Sequence, residues 1–322
     1  MNNLFKAYSA SELGRSAQIG DISPDRSVIV GKAASFFLYS GSNSYYEQYS
    51  DSHGWELGRR WAELDVQRRA FIGSNVTMQT IYVPNKASCL PDLYPLLLKQ
   101  VPTPTFSRMR NLIKNDHAVI FCDALIEASK PELRHDGSPW RLVDTHWSEF
   151  GCLLTVNEIL CRLGLTPISP VVETCAPVLV WGDLSRKFPG EPILEYRHML
   201  LRYDDVIPYK IYDSGEHAAY EAHLGRRVTW HNPESDINLH VLLIGNSFSG
   251  IGTKPTEMTY WFSRRFRKVT FLHSQYLPVD VLDFYKPDLI LFQGLERFMP
   301  SLPEDKFSAS FIEDRYNSVV SK

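Results

Sequence analysis

Leu239-His240-Val241-Leu242-Leu243-Ile244-Gly245-Asn246-Ser247-Phe248-Ser249-Gly250 joins an apolar run to a turn of small and polar residues. Residues 239–244 read as a strand buried on both faces. Gly245 and Gly250 leave room for the backbone to turn. Downstream the same alternation continues, with a helix over 255–266, a strand over 269–272, a helix over 279–284 and a strand over 288–292. A β-turn-α-β-α-β series of this kind implies an α/β fold whose parallel sheet is covered on both faces. Ser247 then stands just past the carboxyl end of a buried strand, where such folds place their sites. Backbone N–H groups at the turn are able to bind a developing oxyanion. Taken alone, the same residues would also make an ordinary serine-rich turn with capping hydroxyls.

Upstream, short strands are predicted over 28–30 and 36–38, followed by an amphipathic helix over 55–71 with Leu57, Trp61, Leu64, Val66 and Phe71 on one stripe. A strand over 77–83, a helical stretch over 93–98, a strand over 118–121 and a helix over 124–128 follow. Residues 141–143 read as a strand that ends at Asp144-Thr145-His146-Trp147. Ser148 then fits a helix N-cap, with Glu149 in the first turn and Gly164 as the stop. Residues 167–235 are rich in Pro, Gly, Tyr and Arg, and read as an irregular β-rich insertion within a single domain spanning 1–322. Residues two apart on an extended segment project to one side, so Asp144 stands beside His146. A carboxylate there holds an imidazole tautomer and stabilises the imidazolium. An isolated Asp-x-His triplet is usually a solvated polar pair. Two such motifs, each directly after an apolar strand, would lie on one edge of one sheet, and serine, histidine and aspartate would converge.

The composition is that of an ordinary globular chain: 322 residues, 44% hydrophobic, 22% charged, net charge −3. Nothing in that balance suggests the basic face that grips nucleic acid. No apolar stretch approaches the ~20 residues that span a bilayer, so no transmembrane segment is expected. The start, Met1-Asn2-Asn3-Leu4-Phe5-Lys6, lacks a signal-peptide pattern. That points to the cytoplasm, or to the periplasm if a targeting segment has been removed. Five cysteines without a CxxC pair read as free thiols. The other histidines show no HxH or HExxH spacing, so no metal is expected.

The motifs together resemble the SGNH hydrolase-like O-acetyltransferases of the alginate acetylation type, the AlgJ/AlgX group. Asp144-Thr145-His146-Trp147 and Gly245-Asn246-Ser247-Phe248-Ser249 carry most of the likeness. Val30-Gly31-Lys32 through Leu38, Tyr82-Val83-Pro84-Asn85-Lys86, Gly182-Asp183-Leu184, and Pro287-Asp288-Leu289-Ile290 with Glu296-Arg297 add weaker pieces. Ala34-Ser35-Phe36 departs from that group's usual Gly-Trp. The resemblance implies a circularly permuted, three-layer SGNH-like fold, because the Asp…His block precedes the serine block. It also implies Ser247 as nucleophile, His146 as general base and Asp144 as its orienting partner.

For the oxyanion hole the Ser247 N–H is the natural first donor. SGNH hydrolases add a glycine N–H and an asparagine side chain, but here Phe292-Gln293-Gly294-Leu295-Glu296-Arg297 lacks the asparagine. Gln293 or Arg297 could substitute, Arg297 being equally readable as an ion-pair partner of Glu296. Asn246 is a further donor or simply a turn residue, and Trp147 either walls the pocket or packs beneath it. The resemblance implies a carbohydrate acceptor and an acetyl donor, with no cofactor. The leading reading is a carbohydrate O-acetyltransferase. An acetylesterase with the same three residues and a non-catalytic glycan-binding protein of the same fold are the alternatives.

Overall fold

The computed structural model describes residues 18–41, 44–136, 138–169, 171–190, 192–202, 207–215 and 224–320. The chain opens with an antiparallel pair, β1 (Val28–Val30) and β2 (Phe36–Leu38). Next come α1 (Gly54–Ile72), β3 (Thr77–Val83), the helical turn α2 (Lys86–Cys89), α3 (Pro104–Ile113), β4 (Val119–Ile120), α4 (Asp123–Ala128) and α5 (Glu149–Arg162). A separate antiparallel pair, β5 (Val171–Val180) and β6 (Glu195–Arg202), precedes β7 (Tyr209–Asp213) and β8 (Arg227–His231). The chain ends with β9 (Ile237–Gly245), α6 (Met258–Arg265), β10 (Phe266–His273), α7 (Val281–Tyr285), β11 (Leu289–Leu295) and α8 (Ala309–Val320).

The main sheet has seven strands in the order β4-β3-β11-β9-β10-β8-β7. The first five are mutually parallel, whereas β8 and β7 add an antiparallel edge. Two strands of the stretch read as an insertion therefore extend the sheet. β9 lies at its centre because Val241 and Leu243 face one layer while Leu242 and Ile244 face the other, all four fully buried. The first pair packs with Val156, Phe248 and Trp261 from α5 and the α6 side. The second pair packs with Val281, Tyr285 and Ile312 from α7 and α8. Each such side chain contributes about 1.5–3 kcal/mol by leaving water. α1 and α3 cover Tyr82 and Phe121.

The chain runs from β9 to β10 on one side, then crosses back over β9 to β11 on the other. Crevices form at the carboxyl ends of strands where the order reverses in this way. β11 pairs with β9 only as far as Phe292↔Ile244, so the ladder opens just before Ser247.

Two local expectations are corrected, and one helix is added. Residues 93–98 are turn and bend rather than helix, because Pro91 and Pro95 withhold backbone donors there. Residues 141–143 form no strand, and Trp140↔Trp147 is the isolated bridge that flanks them. Helix α3 was not anticipated, although Thr103 caps it and Pro104 occupies its first turn. The aromatic cluster of Phe36, Phe37, Tyr45 and Tyr49 is buried core. Cys89, Cys122 and Cys152 are buried free thiols and Cys161 an exposed one, while the Cys175 side chain lies outside the described residues.

Candidate active site

The turn after β9 is built by its own small residues. Phe248 N–H donates to Asn246 Oδ1 at 3.1 Å, and Ser249 N–H donates to the Asn246 carbonyl at 2.9 Å. A Cβ on Gly245 would lie 2.5 Å from Ser249 Oγ and 2.8 Å from Gln293 Oε1, so only glycine lets the turn fold back on the strand. Gln293, fully enclosed, accepts from Asn246 N–H at 3.1 Å and Ser249 Oγ–H at 3.2 Å, and donates to the Gly294 carbonyl at 2.9 Å. Both ends of its amide are engaged. Its amide oxygen holds the turn in place, and one of its two N–H groups goes to the Gly294 carbonyl.

The turn presents Ser247 Oγ at 2.7 Å from His146 Nε2, and His146 Nδ1 lies 2.7 Å from Asp144 Oδ1. An ionised Asp144 only accepts, so Nδ1 carries the proton and Nε2 is left to accept from the serine. Asp144 Oδ1 also accepts the His146 backbone N–H at 2.9 Å. An Asx-type turn, rather than strand alternation, therefore sets the imidazole. The other carboxylate oxygen receives Arg141 Nη1 at 2.5 Å and Asp183 N–H at 3.4 Å. Burial alone would raise the Asp144 carboxyl. The hydrogen bond from His146 and the Arg141 guanidinium outweigh it and hold the group well below the ordinary carboxylate range.

Side chains replace a strand ladder along 141–144. Lys86 Nζ donates to the carbonyls of Phe36 (2.8 Å), Arg141 (2.5 Å), Leu142 (2.8 Å) and Asp144 (3.2 Å). Burial pushes its ammonium down to about 8, against the pull of Glu195, Asp144 and Asp183. Glu195 accepts from the Leu142 and Val143 N–H groups and from Arg141 Nε at 2.7 Å. Asp183 accepts the Thr145 N–H at 2.7 Å and its hydroxyl, and its carboxyl is raised by desolvation and by the neighbouring Asp144 charge. Gly182 closes this arrangement, since a Cβ there would lie 2.2 Å from the Val143 carbonyl oxygen and 2.6 Å from Asp144 Cβ. Gly182→Ala is expected to cost about 1–3 kcal/mol by overpacking. By displacing Asp144 it should lower turnover of p-nitrophenyl acetate, the activity proposed below, roughly 10²-fold. Thermal unfolding and p-nitrophenyl acetate kinetics on the same preparation check both effects.

Trp147 is wholly enclosed. Its indole N–H donates to the Thr256 carbonyl at 2.7 Å, and its ring meets Phe248 edge-on at 4.8 Å. It packs beneath the site and does not wall it. Phe248 also touches the His146 ring, at 4.8 Å between centroids. Arg297 lies over the same Phe248 ring at 5.6 Å and borders a small cavity of about 10 Å³ with Thr145 and Tyr45. Its guanidinium makes no ion pair among the described residues. The supposed partner Glu296 is buried and turned elsewhere, accepting the Asn85 N–H at 2.7 Å, the Thr103 N–H at 2.8 Å and the Ser88 hydroxyl at 2.9 Å. Burial raises the Glu296 carboxyl, and those three donors pull it back. Glu296→Gln would point an NH2 group at one of them and should lower stability by about 1–3 kcal/mol, read by denaturant unfolding.

The Ser247 N–H and Asn246 Nδ2 have no acceptor among the described residues, which leaves both available to an oxyanion. Among the described residues, Asp144, His146 and Asp183 are the one group offering three possible metal ligands, within 4.8 Å of one another. A cation there would compete with the Nδ1–H and Arg141 contacts already made to Asp144. No helix of the described residues is long and apolar enough to cross a membrane.

Lys86 and Asp183 fell within motifs noted in the sequence, but their tasks did not show there. Arg141 and Glu195 gave no signal beyond Arg141 standing three residues before Asp144.

No protein-family model matches this chain, and no curated protein matches it in sequence. Solved structures do. PatB1 of Bacillus cereus, determined with a sulfonyl adduct, superposes with a TM-score of 0.54 at 11% identity, over 87% of this chain and 98% of its own. The O-acetyltransferase domain of Pseudomonas putida AlgJ gives 0.52 at 16% identity, over 90% and 99%. A DHHW family protein from Eubacterium siraeum gives 0.53 at 13%, over 89% and 94%. At these identities the likeness is one of fold: this chain folds as the PatB1, AlgJ and Eubacterium siraeum structures do.

Proposed function

We propose that the chain is a carbohydrate O-acetyltransferase that works through an acyl-Ser247 intermediate. The observation carrying this reading is the continuous relay from Ser247 Oγ through His146 to Asp144, with both links at 2.7 Å. His146 takes the serine proton as Oγ attacks an acetyl ester carbonyl, and Asp144 steadies the imidazolium. The Ser247 N–H and the Asn246 amide face the developing oxyanion, and the unpaired Arg297 contributes to substrate binding. His146 returns its proton to the leaving oxygen. It then deprotonates a sugar hydroxyl as that oxygen attacks the acyl carbonyl, and returns the proton to Ser247 Oγ as the Oγ–C bond breaks. The chain order, with the Asp144–His146 segment ahead of the serine, is that of a circularly permuted SGNH sheet. The fold shared with the AlgJ O-acetyltransferase domain supports acetyl transfer.

The test follows p-nitrophenyl acetate turnover with and without glycan acceptors, with mass analysis of the glycan. Acceptor-dependent acceleration and an acetylated glycan are expected. Hydrolysis unchanged by every acceptor would make the protein an acetylesterase instead.

A further inference from the structure

Asn246, the residue before Ser247, also borders a cavity that the mechanism above leaves unused. It measures about 280 Å³ and lies at the carboxyl ends of β9, β10 and β11. Trp61, Tyr82, Phe292, Leu295, Phe298 and Met299 form an apolar side of its wall. The polar ends of its aromatics are already committed, with the Trp61 indole N–H donating to the Met299 carbonyl at 2.8 Å and the Tyr82 hydroxyl to Asp65 Oδ1 at 3.1 Å. At its rim Gln293 is engaged at both ends. The Ser274 hydroxyl donates to the Tyr276 carbonyl and accepts the Tyr276 N–H. Asn246, His273 and Gln275 add polar groups to the lining beside this apolar wall. Apolar cavities of about 150 Å³ accept a benzene ring, and this one is nearly twice that size. An acetyl group would place a single methyl near it.

We propose that this cavity receives the apolar chain of an acyl group longer than acetyl, of about four to eight carbons, carried as an ester on Ser247. The proposal rests on the acyl-serine reading above. With an ester donor R–CO–OR′, the Oγ–C bond forms and the C–OR′ bond breaks. The Oγ proton passes to His146 Nε2 and then to the departing oxygen, which leaves as R′OH. The chain R runs past Asn246 into the cavity, against the aromatic wall.

The test has two arms. Calorimetry measures binding of sodium hexanoate and sodium acetate to the Ser247→Ala protein, and mass spectrometry follows adducts of the wild type with p-nitrophenyl hexanoate and acetate. Each buried methylene is worth about a fourfold gain in binding, so hexanoate is expected to bind at least about tenfold more tightly than acetate. Met299→Trp fills the cavity and should abolish that preference while sparing turnover of p-nitrophenyl acetate. Should Met299→Trp fail to fold, Phe298→Ala removes a half-exposed part of the wall and should weaken hexanoate alone. Equal binding of the two acids, or a preference that neither substitution changes, overturns the proposal. The Ser247→Ala arm reads the cavity with the nucleophile gone. Absence of any Ser247 adduct with either ester instead overturns the acyl-serine reading and the ester step with it.

Discussion

Ser247→Ala is expected to lower p-nitrophenyl acetate turnover by about 10⁴- to 10⁶-fold while leaving the melting temperature nearly unchanged. The substitution removes one hydroxyl at a partly exposed turn. Its single described partner, His146 Nε2, can turn to water instead. The backbone bonds that shape the turn come from Asn246, Phe248, Ser249 and Gln293, and all of them survive. His146→Ala should cost about as much, and the double variant little more than either single one, because the two groups act as a unit. Stopped-time assays of the three proteins check this. A loss of less than about tenfold in each would mean that the hydroxyl and imidazole meet without doing chemistry.

Asp144→Asn should have the second largest effect, and its cause is a donor count. All four groups aimed at the Asp144 carboxylate are donors: the His146 N–H and Nδ1–H on one oxygen, the Arg141 guanidinium and the Asp183 N–H on the other. An asparagine presents one acceptor oxygen and one NH2 group, so it meets donors with a donor on one side. If the NH2 faces His146, the imidazole changes tautomer, Nε2 becomes a donor and the serine proton has nowhere to go. A rate loss of about 10⁴-fold is expected in that case. If it faces Arg141, the half-buried guanidinium loses one of its two carboxylate partners, Glu195 remaining, and stability falls by about 1–3 kcal/mol.

The same carboxylate sets a pH dependence. Its folded-state pKa is depressed, so its contribution to stability is present above the unfolded value near 3.9 and is lost as pH falls toward the folded value. The melting temperatures of the wild type and Asp144→Asn should therefore differ at pH 7 and draw together below about pH 4. A gap that stayed constant over that range would mean that Asp144 is not stabilised as a carboxylate.

The parts of this arrangement that were legible in the sequence are local ones. A run such as Val241-Leu242-Leu243-Ile244, apolar at every position, leaves little choice but a strand covered on both faces, and the small residues after it mark where it must turn. Asp144 and His146 stand two apart, so their meeting needed only one tight turn. The supports were not legible because they are long-range contacts between side chains and backbone. Lys86 gathers carbonyls from positions more than fifty residues downstream, and Glu195 reaches back by the same span to cap 142 and 143. Those contacts also explain why 141–143, strand-like in composition, belongs to no sheet. The turn-holding role of Gln293 was not legible for a related reason: its amide oxygen meets the Asn246 N–H from 47 residues away. The edge strand β7 escaped notice because most of its side chains are exposed, leaving no clean alternation to read.

Labelling with a serine-reactive fluorophosphonate, followed by peptide mass mapping, examines the proposed nucleophile most directly. The account predicts a single phosphonyl adduct on Ser247, formed within minutes at neutral pH and nearly absent from the His146→Ala protein. A wild-type protein that stays unmodified, or is modified at another serine, would contradict it.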